Sequence, residues 1–142
     1  MYQKSNRNLL MLSKPGFWQA DIQRDRRGLE CARASAALEN EIRPHMILIN
    51  TMSAFVGTRL DEEIKSGVFV PAAEKENLEE EKAFLAELNL PDRYFWAVHP
   101  LDSVKIEGCL RDDQQRMLDA LTWSIEHVKD HTIQRTSRVG AL

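Results

Sequence analysis

The chain has few cysteines, few glycines and no long hydrophobic run, and each shortage removes a class of protein. Cys31 and Cys109 are its only thiols in 142 residues. They form no CxxC pair, disulfide framework or zinc knuckle, so a reduced, cytoplasmic setting is expected. No apolar run approaches the roughly 20 residues that a membrane span needs. The stretch MYQKSNRNLLMLSKPG holds only a short apolar patch. It lacks the longer apolar region and small-residue cleavage site of a signal peptide. Basic excess is also missing: 19 Lys and Arg face 22 Asp and Glu, a net charge of -3. Phosphate neutralisation needs a surplus of cations, so nucleic acid is not an expected partner, and without a spanning run neither is a membrane. The six glycines build no Walker loop, GxGxxG or GxSxG, and Gly57 and Gly67 are too isolated to cradle a phosphate.

What is present is ordinary for a globular domain: 43% apolar and 29% charged residues. That length and composition suit one domain with a buried core. Residues 1–130 are read as a single α/β domain. Residues 131–142, with Arg135, Arg138 and Gly140, are read as a loose tail.

The stretch HMILINTMSAFVGTRLDEEI, from His45 to Ile64, is the centre of the chain. Met46-Ile47-Leu48-Ile49 does not alternate, which predicts a strand buried on both faces. Asn50 and Thr51 mark its polar end. Thr58-Arg59-Leu60-Asp61 resembles a capping box at a helix start, and Gly67 can take the left-handed position that ends that helix. Before this stretch, Leu9–Leu12 reads as a strand stopped by Pro15-Gly16. An Ala-rich helix then spans Asp21–Ile42, with Leu29, Ala32 and Ala36, and likewise Cys31, Ala34, Leu38 and Ile42, at helical spacing and Pro44 ending it. Cys31 reads as a small core residue on that helix.

After it, Val68–Val70 reads as a loop or brief strand. Ala72–Leu88 is predicted as a helix with Leu78, Phe84, Leu85 and Leu88 on one side. Its opposite side, carrying Glu74, Glu76, Glu79, Glu80, Glu81 and Glu87, reads as a solvated face. Tyr94–Val98 is the third apolar run, ending at His99-Pro100-Leu101-Asp102. Val104–Leu110 reads as a connecting segment. Asp112 with Gln115 suggests a helix start, and Leu118, Leu121, Ile125 and Val128 form its stripe. Strands alternating with helices predict a parallel three-stranded sheet, with both edges open unless something covers them.

Parallel α/β sheets meet ligands at the carboxyl ends of their strands. Those ends carry Ser13-Lys14, Asn50-Thr51 and His99 to Asp102. His99, Asp102, Asn50 and Thr51 are therefore the candidate pocket residues, with His99 foremost because imidazole titrates near neutrality. The alternative for His99 is a hydrogen bond to a neighbouring loop. His127 and His131 are spaced i, i+4, but no HExxH or third ligand accompanies them. They read as residues favoured at a helix C-terminus.

Three segments together resemble the C-terminal half of a radical S-adenosylmethionine domain protein: ECARASAALENEIRPHMILINTM, AFVGTRLDEEIKSGVF and VHPLDSVKIEGCLRDDQQRMLDAL. The second is similar to that family's PGT-x-L loop, acidic helix and Gly-x-Phe. The third is similar to its His-bearing strand end, an apolar-x-Gly-x-Leu-x-x-Asp segment and a final helix. The resemblance runs from Glu30 to Val128. It implies the second half of a partial TIM-like (β/α) barrel that lines a cavity, with His99 and Asp102 matching the family's His and following Asn. In the intact family a 4Fe–4S cluster on three cysteines reduces S-adenosylmethionine. This chain carries no CxxxCxxC, so no cofactor is expected in it alone. Val56 and Arg59 stand where the family's loop has proline. The expected partner is the missing N-terminal half of the barrel, or a second copy. The rival readings are a non-catalytic scaffold module, and a small α/β enzyme using His99 and Asp102 as an acid/base pair.

Overall fold

A computed structural model describes residues 9–13, 27–51, 55–100 and 102–129. Eight elements follow in order: β1 (Leu9–Ser13), α1 (Arg27–Ile42), β2 (Met46–Asn50), α2 (Arg59–Lys65), α3 (Glu74–Glu87), β3 (Tyr94–Ala97), β4 (Ile106–Cys109) and α4 (Leu110–His127). The fold is mixed α/β. β1, β2 and β3 pair in parallel, as expected from strands separated by helices. The expected purely parallel three-stranded sheet is corrected by a fourth strand. β4 pairs antiparallel with β3, completing the order β1-β2-β3-β4. The segment read as a connection is this strand. Its signal is weak because Glu107 and Gly108 interrupt a run of only four residues.

One core lies against one face of the sheet. Ile47 and Ile49 of β2, Phe95 and Ala97 of β3 and Ile106 of β4 meet Ala32 and Ala36 of α1, Leu78, Phe84 and Leu85 of α3, and Met117 and Leu121 of α4. The alanines let α1 approach closely, as their spacing predicts. The opposite face carries Met46, Leu48, Asn50 and Trp96, all half-buried, with Tyr94 exposed. The expectation that β2 is buried on both faces is corrected, because its burial alternates along the strand. The apolar run does form a strand, yet hydrophobicity alone does not say whether anything covers both sides.

The acidic face of α3 is a second correction. Glu74, Glu80 and Glu81 are buried. The Glu80 carboxylate lies against Gly28 in the first turn of α1, where a methyl group would collide with it. The free amides of a helix start favour a carboxylate there. The C-terminus of α3 is closed by Gln114 of α4, whose amide donates to the carbonyls of Leu85 (2.8 Å) and Leu88 (3.0 Å). Asn40 ties α1 to the same turn, donating to Glu87 O at 2.9 Å and accepting from Asn89 N at 2.7 Å. α4 starts at Leu110, two residues before the predicted Asp112 cap. Its first amides are satisfied instead by the loop before β3, with Leu110 N donating to Arg93 O and Arg111 N to Pro91 O, both at 2.9 Å.

Glu39 is 1% exposed on α1, and its Oε2 finds no hydrogen-bond partner among the described residues. Burial pushes its carboxyl above the usual value of 4.5. A raised folded pKa means that the folded state holds the proton longer than the unfolded chain. Stability from this group is therefore full below about pH 4.5 and falls as pH rises through the folded pKa. Glu39→Gln, which cannot ionise, is expected to stabilise the protein at neutral pH by about 1–2 kcal/mol. Denaturant midpoints at pH 4 and pH 7 check this. The gain should shrink at pH 4, and equal midpoints at pH 7 would show that the carboxylate is compensated.

Candidate functional site

The carboxyl ends of β2 and β3 converge on Asp102, which is 4% exposed. Its Oδ1 accepts from the Thr51 amide at 2.7 Å and from Thr51 Oγ1 at 2.9 Å. Its Oδ2 accepts from the His99 amide at 3.0 Å, and its own amide donates to His99 O at 2.9 Å. The Asp102 side chain therefore reaches back to His99, three positions earlier, and across to the end of the neighbouring strand. Thr51 leaves β2 beside it. Asn50, one residue earlier, points with Met46 and Leu48 to the face away from the helices, as the burial alternation of β2 requires. Thr51, Asn50 and His99 are half-buried.

The structure thus brings three of the four predicted pocket residues into one network and puts Asn50 at its border. It also alters the role open to Asp102. A carboxylate that already accepts three hydrogen bonds from two strand ends is held as an organiser of the rim. Serving as a general base would require it to give up one of these donors. Ser13 is level with Asn50 in the parallel register. Lys14 lies outside the described residues.

The loop after β2 was legible as a helix start and holds more than was expected. Thr58 caps α2, its hydroxyl accepting from the Asp61 amide at 3.3 Å and donating to Phe55 O at 2.7 Å. Asp61, at N3, is 1% exposed; it does not complete the expected capping box, because the Thr58 amide donates to Phe55 O (3.2 Å) and not to Asp61. Its Oδ2 accepts from Lys65 Nζ at 2.6 Å and from the Gly57 amide at 2.9 Å. Gly57 and Gly67 bracket the helix with φ of 83° and 76°, a left-handed backbone that glycine adopts without penalty. The hydrogen bond from Lys65, then that from Gly57, holds the Asp61 carboxyl below the usual 3.8. A lowered folded pKa gives stability that is present above about pH 3.8 and lost as pH falls through the folded value. Acid unfolding of Asp61→Asn is therefore expected to be shallower below pH 4 than that of the parent. Identical acid limbs would show that Asp61 contributes no such dependence.

Among the remaining sequence candidates, His127 Nδ1 donates to Trp123 O, 2.7 Å away. Its ring stacks on that indole at 4.3 Å between centroids. This is a helix C-terminal contact, and His131 lies outside the described residues. Cys31 sits in α1 and Cys109 at the end of β4, both half-buried. The described residues contain no group of three His, Cys, Asp or Glu placed to hold a metal ion. Two thiols on separate elements do not fit a cluster that needs at least three. No described helix is long and apolar enough to cross a membrane. Comparison with known proteins finds no matching family model, no matching curated protein and no matching solved structure.

Proposed function

We propose that this chain is the second half of a partial (β/α) barrel, related by resemblance to the radical S-adenosylmethionine proteins. On this reading it completes a barrel and lines its cavity without carrying out chemistry of its own. The observation that supports it is the one-sided arrangement of the sheet. The parallel strands advance in the order β1-β2-β3, while α1, α3 and α4 share one core on a single face. A doubly wound sheet reverses direction and takes helices on both faces. A barrel keeps its helices outside and turns the other face inward. Met46, Leu48, Asn50 and Trp96 would then line the interior, with the Thr51–Asp102–His99 network at its rim. The cluster and S-adenosylmethionine would belong to the other half, since the thiols here do not suit them.

The same face, which the described helices leave uncovered, supports a second reading, a scaffold module that pairs with its own copy. Light scattering on the purified chain separates the two, with a dye that fluoresces on apolar surface as a companion. The half-barrel reading expects strong dye binding and ill-defined association, both reduced by Leu48→Lys. A discrete dimer that excludes the dye supports self-pairing. A cooperative monomer that binds no dye would sink both, because the chain would then cover its own face.

A further inference from the structure

We propose that α4 locks the β4 edge of the sheet against the addition of another strand. The residues of β4 alternate between facing β3 and facing outward. Phe95↔Gly108 and Ala97↔Ile106 flank Trp96↔Glu107 in the antiparallel register. The outward backbone groups belong to Glu107 and Cys109, and α4 bonds to both of these residues. The Cys109 amide donates to Asp113 Oδ2 at 3.0 Å. The Glu107 carbonyl accepts from Arg116 Nη2 at 2.9 Å. Asp113 and Arg116 are themselves paired, Nη2 to Oδ1 at 3.0 Å and Nε to Oδ1 at 3.2 Å. One ion pair therefore occupies an edge donor and an edge acceptor at once.

Unpaired donors and acceptors on an edge strand are a template for another chain. A strand arriving at β4 would have to displace two charge-assisted hydrogen bonds and separate the pair that makes them. Gly108 is part of the device. A methyl there would collide with the Asp113 side chain, approaching its Cβ at 2.5 Å. Only glycine lets this carboxylate lie flat against the strand. The spacing explains the geometry: Asp113 and Arg116, one turn apart on α4, face back toward the strand from which the helix directly continues. A single surface ion pair adds little to stability, so the arrangement is better accounted for by what it blocks. The lock stands apart from the barrel reading, because a partial barrel can be completed through the β1 edge without the β4 backbone.

The test compares the wild-type chain, Asp113→Ala/Arg116→Ala and Gly108→Ala by light scattering over a range of concentrations. Both variants are expected to associate further than wild type, with about a doubling of average mass at the highest concentration. Adding Glu107→Pro, which deletes an outward amide at a position where an edge tolerates proline, should return the mass to that of wild type. Association that Glu107→Pro leaves intact, or variants that match wild type, would overturn the lock. Amide hydrogen exchange on the wild-type chain guards against variants that fail to fold. The Cys109 amide should exchange at least about tenfold more slowly than an unstructured amide, and unprotected exchange there would equally overturn the proposal.

Discussion

Asp102→Ala is expected to lower the unfolding free energy by about 2–4 kcal/mol, although the residue lies in a loop. The substitution removes the acceptor for the Thr51 amide, the Thr51 hydroxyl and the His99 amide. These donors sit in half-buried to buried surroundings, and a stranded buried donor costs about 1–3 kcal/mol. Asp102→Asn separates charge from geometry. Its amide oxygen can keep both Thr51 donors, but its NH2 then faces the His99 amide, donor against donor. About half the loss should remain. Urea unfolding of the three proteins measures this directly. Should Asp102→Ala unfold at the wild-type midpoint, the carboxylate is not holding the strand ends together. Its burial would then have to be explained by a ligand that it meets at the rim, which would revive the acid/base reading of His99 and Asp102.

Phe95→Ala is expected to cost about 3–5 kcal/mol, the range for removing a buried aromatic ring. Phe95 is fully buried at the middle of the sheet, level with Ile47 of β2 on one side and Gly108 of β4 on the other. Its ring lies 6.5 Å from that of Phe84, tilted at 39°, so β3 is pinned to α3 through this pair. Gly108 offers no side chain to fill the space. For a chain of this length the loss should appear as a fall in melting temperature of about 10–20 °C. Phe84→Ala and the double variant complete a cycle, and coupling of about 0.5–1.5 kcal/mol is expected between the rings. Additive losses would show that the two rings fill the core independently. A Phe95→Ala midpoint within about 1 kcal/mol of wild type would place the energetic centre of the core elsewhere.

Periodicity carried the reading of the helices because their core contacts are local and repetitive. Leu78, Phe84 and Leu85 on α3, Leu88 at its C-cap, and Ala32 and Ala36 on α1 are buried as their spacing requires, whereas Leu38 and Ile42, at the same spacing along α1, are exposed. Thr58 and Gly67 were legible for the same reason, since a cap is specified within four residues. β4 was missed because four residues containing Glu and Gly have no period to detect. Its pairing is set by β3, through partners nine to fifteen residues earlier that no local pattern encodes. The burial of Glu74, Glu80 and Glu81 was missed on similar grounds. A glutamate on the polar side of a helix reads as solvated until the packing of α1 against that side is known. Glu80 shows this most directly, since its neighbour is Gly28, far upstream.

By itself the sequence determined the α/β alternation, the parallel pairing of β1, β2 and β3, and the placing of Thr51, His99 and Asp102 at strand ends. Each of these follows from short-range chemistry: apolar runs of strand length, helical spacing, and polar residues where a run stops. Tertiary structure alone decided which sheet face the helices cover, which edge α4 seals, and that Asp102 is bound as an acceptor. Those outcomes depend on donors and acceptors brought together from distant parts of the chain. A carboxylate in a sequence looks the same whether it will meet water, a ligand or two backbone amides. Only the fold determines which of these it meets, and so how much of its chemistry remains free.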